Sequence, residues 1–341
     1  MQLSILDYAQ IDEGKDAYQA FHHTIQLAKM AEKYGYSRFW MAEHHDVPAF
    51  ASSSPEMMMM HLLNQTSRIR IGSGGVMLPH YSPFKVAENF RVMETLFPGR
   101  VDLGIGSTIG TPRVNKALNE MKQKKLPFET SIQDILSYLT SKEVVDSHRM
   151  AGITANPYTK QSPSIWLLSA SMRSAKIAAK RGLGYTFGLF PLAGRDNMER
   201  GLKAVEYYRA HFEPSELLNK PQVSIALFLV LGETQSEAEY LAQALDFWLL
   251  GLDDFSYYKQ FPSVATAQSY RYSEQEKETI KLNRARMVMG DVKSVTSQLD
   301  ELTEKFSADE LLVIPLMPDI KYRLRAVELL GETYLIKPKP D

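Results

Sequence analysis

The sequence predicts an α/β protein of the (β/α)8 or TIM-barrel kind, with insertions after the fourth and seventh strands. Two observations carry this: eight short apolar runs recur along the chain, and patterns of helical period lie between them. Strands that alternate with helices pair in parallel through crossover units, and eight is the number that closes a barrel. The same pattern leaves an open, doubly wound sheet as the other option. The 341 residues fit one domain, because no interdomain linker, internal repeat or low-complexity tract interrupts them.

The apolar runs fall at residues 3–6, 39–42, 69–78, 101–106, 165–168, 185–190, 223–231 and 311–316. Between them Phe21, Ile25 and Ala28 keep the spacing of one buried helix face. So do Val86, Phe90, Met93 and Phe97; Val295, Leu299, Leu302 and Phe306; and Ile320, Leu324 and Val327. Ser54-Pro55 and Ser82-Pro83 each put a hydroxyl cap before a proline at a first helical position, where a missing N–H is harmless. The helix after Ser82 is expected to stop at Pro98-Gly99. Two spacers, residues 107–163 and 250–287, exceed simple connections and are expected to hold extra helices near the site.

Composition narrows the function classes. The 39 basic and 40 acidic side chains leave a formal net charge of −1, which argues against a broad nucleic-acid footprint. With no cysteine there is no disulfide, thiolate metal site or Cys nucleophile. The opening MQLSILDYAQ lacks the features of a signal peptide, and no apolar run approaches a bilayer span, so a cytoplasmic protein is expected.

Barrel sites form at the C-terminal ends of the strands. Glu43, His44, His45 and Asp46 follow the second run, but adjacent side chains point apart and no HExxH pattern is present, so a metal is disfavoured. An acid/base His44 suits the position better, with a turn-shaping histidine as the plainer reading. Gly72, Ser73, Gly74 and Gly75 break a strand pattern, which suggests a bulge, a flat ligand or a tight core crossing. No GxGxxG opens a crossover unit, so a Rossmann dinucleotide site is unexpected. Ser169, Ala170, Ser171, Arg173 and Ser174 lie between a strand and a helix start, where free N–H groups suit a phosphate; an ordinary Ser cap explains them equally well. Met57, Met58, Met59 and Met60, followed by His61, read as core and partner surface rather than a redox site.

At these residues the chain resembles the bacterial-luciferase-like flavin-dependent monooxygenases. The resemblance rests on residues 40–45 (WMAEHH) and 72–79 (GSGGVMLP), then Tyr81-Ser82-Pro83, Val86-Ala87-Glu88 and residues 97–104, and it is strongest over 34–106. It implies a barrel that binds FMN at its strand ends, with His44 as the catalytic imidazole. Gly74-Gly75 matches the position where many members have a non-proline cis peptide beneath the isoalloxazine ring, and Ser171 and Ser174 match residues that hold the flavin phosphate. It further implies a homodimer through the second and third helices. One departure stands out: relatives usually have a phosphate-binding arginine where this chain has Ser107, and their Gly-Thr-Asp reads Gly110-Thr111-Pro112 here. Losing such a donor weakens binding by about 1–3 kcal/mol, and Arg173 or Arg113 is expected to compensate in part.

The expected function is therefore oxygenation of a small organic substrate by O2 and reduced FMN, the latter supplied by a separate flavin reductase. A flavin-binding or flavin-sequestering protein that has lost oxygenation is the alternative that Ser107 motivates. An unrelated barrel hydrolase or lyase using Glu43 and His44 is a third.

Overall fold

The computed structural model describes residues 2–120, 125–141, 147–190 and 196–335. Its strands are β1 (Gln2–Asp7), β2 (Arg38–Met41), β3 (Arg70–Ser73), β4 (Val76–Met77), β5 (Val101–Gly106), β6 (Ser164–Ser169), β7 (Gly184–Gly188), β8 (Val223–Leu231), β9 (Met287–Gly290) and β10 (Glu310–Pro315). Its helices are α1 (Ala17–Tyr34), α2 (Pro55–Gln65), α3 (Pro83–Leu96), α4 (Pro112–Asn119), α5 (Phe128–Thr140), α6 (Met172–Arg181), α7 (Asp196–Ala210), α8 (Gln235–Trp248), α9 (Val264–Ser269), α10 (Glu274–Arg284), α11 (Val292–Phe306) and α12 (Ile320–Tyr334).

Every strand pairing is parallel. The order runs β10, β1, β2, β3, β5, β6, β7, β8, and β8 pairs back to β10, which closes an eight-stranded TIM-like barrel. All nine residues of β8 are buried, because its inner face fills the barrel and its outer face meets helices. That double burial is why the strands read as continuous apolar runs rather than as alternation.

The run at 69–78 is one barrel strand in two pieces. Gly72 pairs with Asp102 and Val76 with Ile105, so four steps on this strand oppose three on β5. The extra residue is a bulge at the glycines, and the Gly74–Gly75 peptide within it is cis. The glycines also permit close strand approach: a Cβ on Gly104 would lie 2.0 Å from the Ser73 carbonyl oxygen, and one on Gly75 would lie 2.9 Å from that of Gly104.

Three local expectations need correction. β9 lies inside a stretch read as spacer and linking helix; it is four residues long, and it pairs with the end of β8 on the edge opposite β10, since Phe228 and Leu229 meet both. The buried stripe of α1 is Ala20, Thr24, Leu27, Ala28 and Ala31, with Phe21 and Ile25 only flanking it. Ser82 accepts the Lys85 N–H, but the Ser54 side chain makes no capping bond, so Pro55 alone marks the start of α2. The 107–163 insertion carries α4 and α5; the 250–287 insertion carries α9 and α10.

Candidate active site

A cavity of about 440 Å³ opens at the C-terminal end of the barrel. Tyr8, from the end of β1, and Ala42, Glu43 and His44, from the end of β2, form one wall. Gly74, Gly75 and Gly106 contribute backbone without side chains. Ser107, Thr108, Ser169, Ala170 and Ser171 form the opposite side, and Met77, Leu168, Gly188, Phe190 and Arg200 complete the lining. The structure thus brings together His44, Gly74, Gly75, Ser107, Ser169, Ala170 and Ser171 from four separate segments.

His44 is half-buried between aromatic rings, with centroids 4.4 Å from Tyr8 and 5.1 Å from Phe50. Phe50 continues into Trp248 at 4.9 Å, and Trp248 packs on Phe255, Tyr258 and Phe261. The 250–287 insertion therefore supplies an apolar backing to the imidazole. Burial, and secondarily the neighbouring His45, lowers the His44 pKa to about 4. The ring is accordingly neutral near pH 7, so it is a hydrogen-bonding partner or proton acceptor rather than a standing acid. Its Nδ1 is buried and has no hydrogen-bond partner among the described residues.

Glu43 is already engaged. Its Oε2 accepts the Met77 N–H at 2.8 Å, while Oε1 accepts the Tyr81 hydroxyl at 2.5 Å and lies 2.7 Å from His45 Nε2. These contacts tie the end of β2 to β4 just beyond the bulge. A hydrolase pairing of Glu43 with His44 finds no support, because the carboxylate turns away to His45.

Ser171 caps α6: its Oγ accepts the Ser174 N–H at 3.3 Å, and Ser169 Oγ accepts the Ser171 N–H at 3.1 Å. Ser174 is buried behind Ser171, with 3.2 Å between their hydroxyls, and does not line the cavity. Arg173 opens onto a different recess, with Glu129, Lys176 and Lys180. Arg113 has an 86% exposed side chain and lies 3.4 Å from Asp46. Neither arginine lines the cavity.

Sequence reasoning missed Arg200, which stands on the second turn of α7 and lines the cavity. A signal was available in the adjacent Gly201, where a Cβ would lie 2.6 Å from the Phe187 ring. A helix glycine of that kind marks close approach of α7 to β7. Of the four methionines, Met59 is fully buried, Met57 is 74% exposed, and Met58 and Met60 pack partly against the core.

A barrel whose C-terminal mouth holds a half-buried, neutral histidine and a bulged glycine strand in one cavity defines a class of ligand-binding α/β protein. Residues 1–310 match the family described as "Luciferase-like monooxygenase", and the chain belongs to that family. It is 39% identical to the uncharacterized protein YceB of Bacillus subtilis (strain 168), over 98% of this chain and 100% of that one. To the N-acetyl-S-alkylcysteine monooxygenase of the same organism it is 30% identical, over 98% of each. The crystal structure of apo-MsnO8 superposes with a TM-score of 0.86 at 30% identity, covering 99% of both chains. Among the described residues, no helix is long and apolar enough to cross a membrane.

Proposed function

We propose that the protein is a flavin-dependent monooxygenase of the two-component kind. It takes reduced FMN from a separate flavin reductase, places one atom of O2 in a small organic substrate and releases the other as water. The observation that carries this reading is the neutral His44, whose Nδ1 has no hydrogen-bond partner among the described residues, beside a side-chain-free glycine floor in a chain of this family. The residues fit a flavin: the cavity falls in the size range of small-ligand sites, Gly74, Gly75 and Gly106 leave room for a flat ring, and Nδ1 of His44 awaits a partner.

When bound, reduced FMN supplies the two electrons that activate O2. Ser107, Ser169, Ala170 and Ser171 hold the polar tail, Ser174 fixes Ser171, and His44 hydrogen-bonds or accepts a proton at the reacting edge. Tyr8, Phe50 and Trp248 exclude water around His44. The working form is a cytoplasmic homodimer through α2 and α3, whose outer faces expose Met57 and Leu96.

The test mixes the anaerobic protein with reduced FMN and then with 18O2 in the presence of alkyl thioethers, aldehydes and ketones. One 18O atom in a product, lost in His44→Ala while flavin is still bound, supports the reading. Stoichiometric hydrogen peroxide with no labelled product across the panel supports instead the flavin-sequestering alternative suggested by Ser107.

A further inference from the structure

Charge around the cavity is unbalanced. Glu43 is its acidic member and is engaged by the Met77 N–H, Tyr81 and His45. Arg200 is the cation among the described lining residues, and it has no ion pair or hydrogen bond among the described residues. An arginine that faces a cavity without a carboxylate is a site for an anionic ligand group, because its planar fork binds phosphate through paired N–H donors.

Its location selects which end of the ligand it meets. Asn197 donates to the Leu189 carbonyl at 2.6 Å and fixes the first turn of α7 to the end of β7. Gly201 lets the helix lie against Phe187. Helix α7 packs on α6, and the Ser169, Ala170 and Ser171 segment that opens α6 lines the same cavity as Arg200. His44 lies across the barrel, at the end of β2. The other arginines of this region are engaged or turned away: Arg286 donates to the Phe190 carbonyl at 2.6 Å and to Asn283 at 3.0 Å, Arg113 lies near Asp46, and Arg173 opens elsewhere.

We propose that Arg200 binds the phosphate of FMN, supplying from α7 a positive charge that Ser107 lacks. This rests on the flavin reading above, replaces the expectation that Arg173 or Arg113 compensates, and makes the site selective for a phosphorylated flavin.

The experiment compares FMN with riboflavin, which lacks the phosphate, by anaerobic titration of the reduced forms. Wild type should bind FMN more tightly. Arg200→Ala should weaken FMN about tenfold, the lower end for a charged hydrogen bond, and leave riboflavin within about twofold; Arg113→Ala and Arg173→Ala should change neither. Adding Ser107→Arg to the Arg200→Ala protein should restore the preference for FMN. Equal loss of both flavins in Arg200→Ala, or loss of neither, overturns the assignment. Failure of wild type to bind either flavin overturns the flavin reading and this assignment with it. Because Arg200 is exposed and unpaired, the variant should keep the wild-type melting temperature, which separates lost binding from lost folding.

Discussion

His44 lines the cavity at the barrel mouth, and its pKa gives a signed prediction. A free imidazole titrates near about 6.5, whereas burial lowers His44 to about 4 in the folded protein. Between these values the unfolded chain binds the proton more readily, so stability conferred by neutral His44 is present above about pH 6.5 and is lost as pH falls toward 4. The loss is on the order of 2 kcal/mol for this half-buried ring. His44→Gln removes the titration, so its urea midpoint should fall less than that of wild type between pH 7 and pH 4.5; identical pH slopes would contradict the account. At this scale the sequence was legible where residue type is restrictive. The positions of Gly74, Gly75, His44, Ser169 and Ser171 along the cavity were readable because strand ends and helix starts favour few residue types. Arg200 was not, because an arginine on a polar helix reads as a solvated surface until packing turns it toward a cavity.

Elements were readable wherever burial on both faces made long apolar runs, as in β8, and less so where tertiary contact overrides pattern. The four residues of β9 gain strand form only from pairing with the free end of β8. The stripe of α1 is displaced by one position because small residues, rather than Phe21, face the barrel. The bulged strand shows how glycine placement controls an element. Gly104→Ala would set a methyl group 2.0 Å from a backbone oxygen of β3, so the strands must part. A destabilisation of about 2–3 kcal/mol or more is expected from this overpacking. In Gly106→Ala the nearest contact is 3.6 Å, so folding should be nearly unaffected. Urea midpoints of the two variants check this, and equal midpoints would count against strand crowding as the reason for Gly104.

For the whole molecule, a buried charge network and the cavity occupy opposite ends of the barrel. At the N-terminal ends of the strands, Asp102 is buried within 3.0 Å of Arg38 and 2.6 Å of Arg70, and Trp40 Nε1 donates to it at 3.0 Å. Arg38 also reaches Glu310 at 2.8 Å, so this network spans β10, β2, β3 and β5. Burial alone would raise the Asp102 carboxyl, but Arg38 and Arg70 hold it below its usual range. Asp102→Asn should destabilise the fold by about 3–5 kcal/mol, the scale of breaking a buried pair. The folded fraction should keep its flavin affinity, since the cavity lies at the other end; thermal unfolding together with flavin titration separates the two effects. This base was invisible in the sequence, where its charged residues stand 32 or more positions apart.

Whether the C-terminal mouth of the barrel binds flavin is decided by a paired titration of the wild-type protein with oxidised and with anaerobically reduced FMN. Saturable, micromolar binding that favours the reduced form is the expected result. Binding of neither form would contradict it and leave a barrel of this family whose cavity serves another ligand.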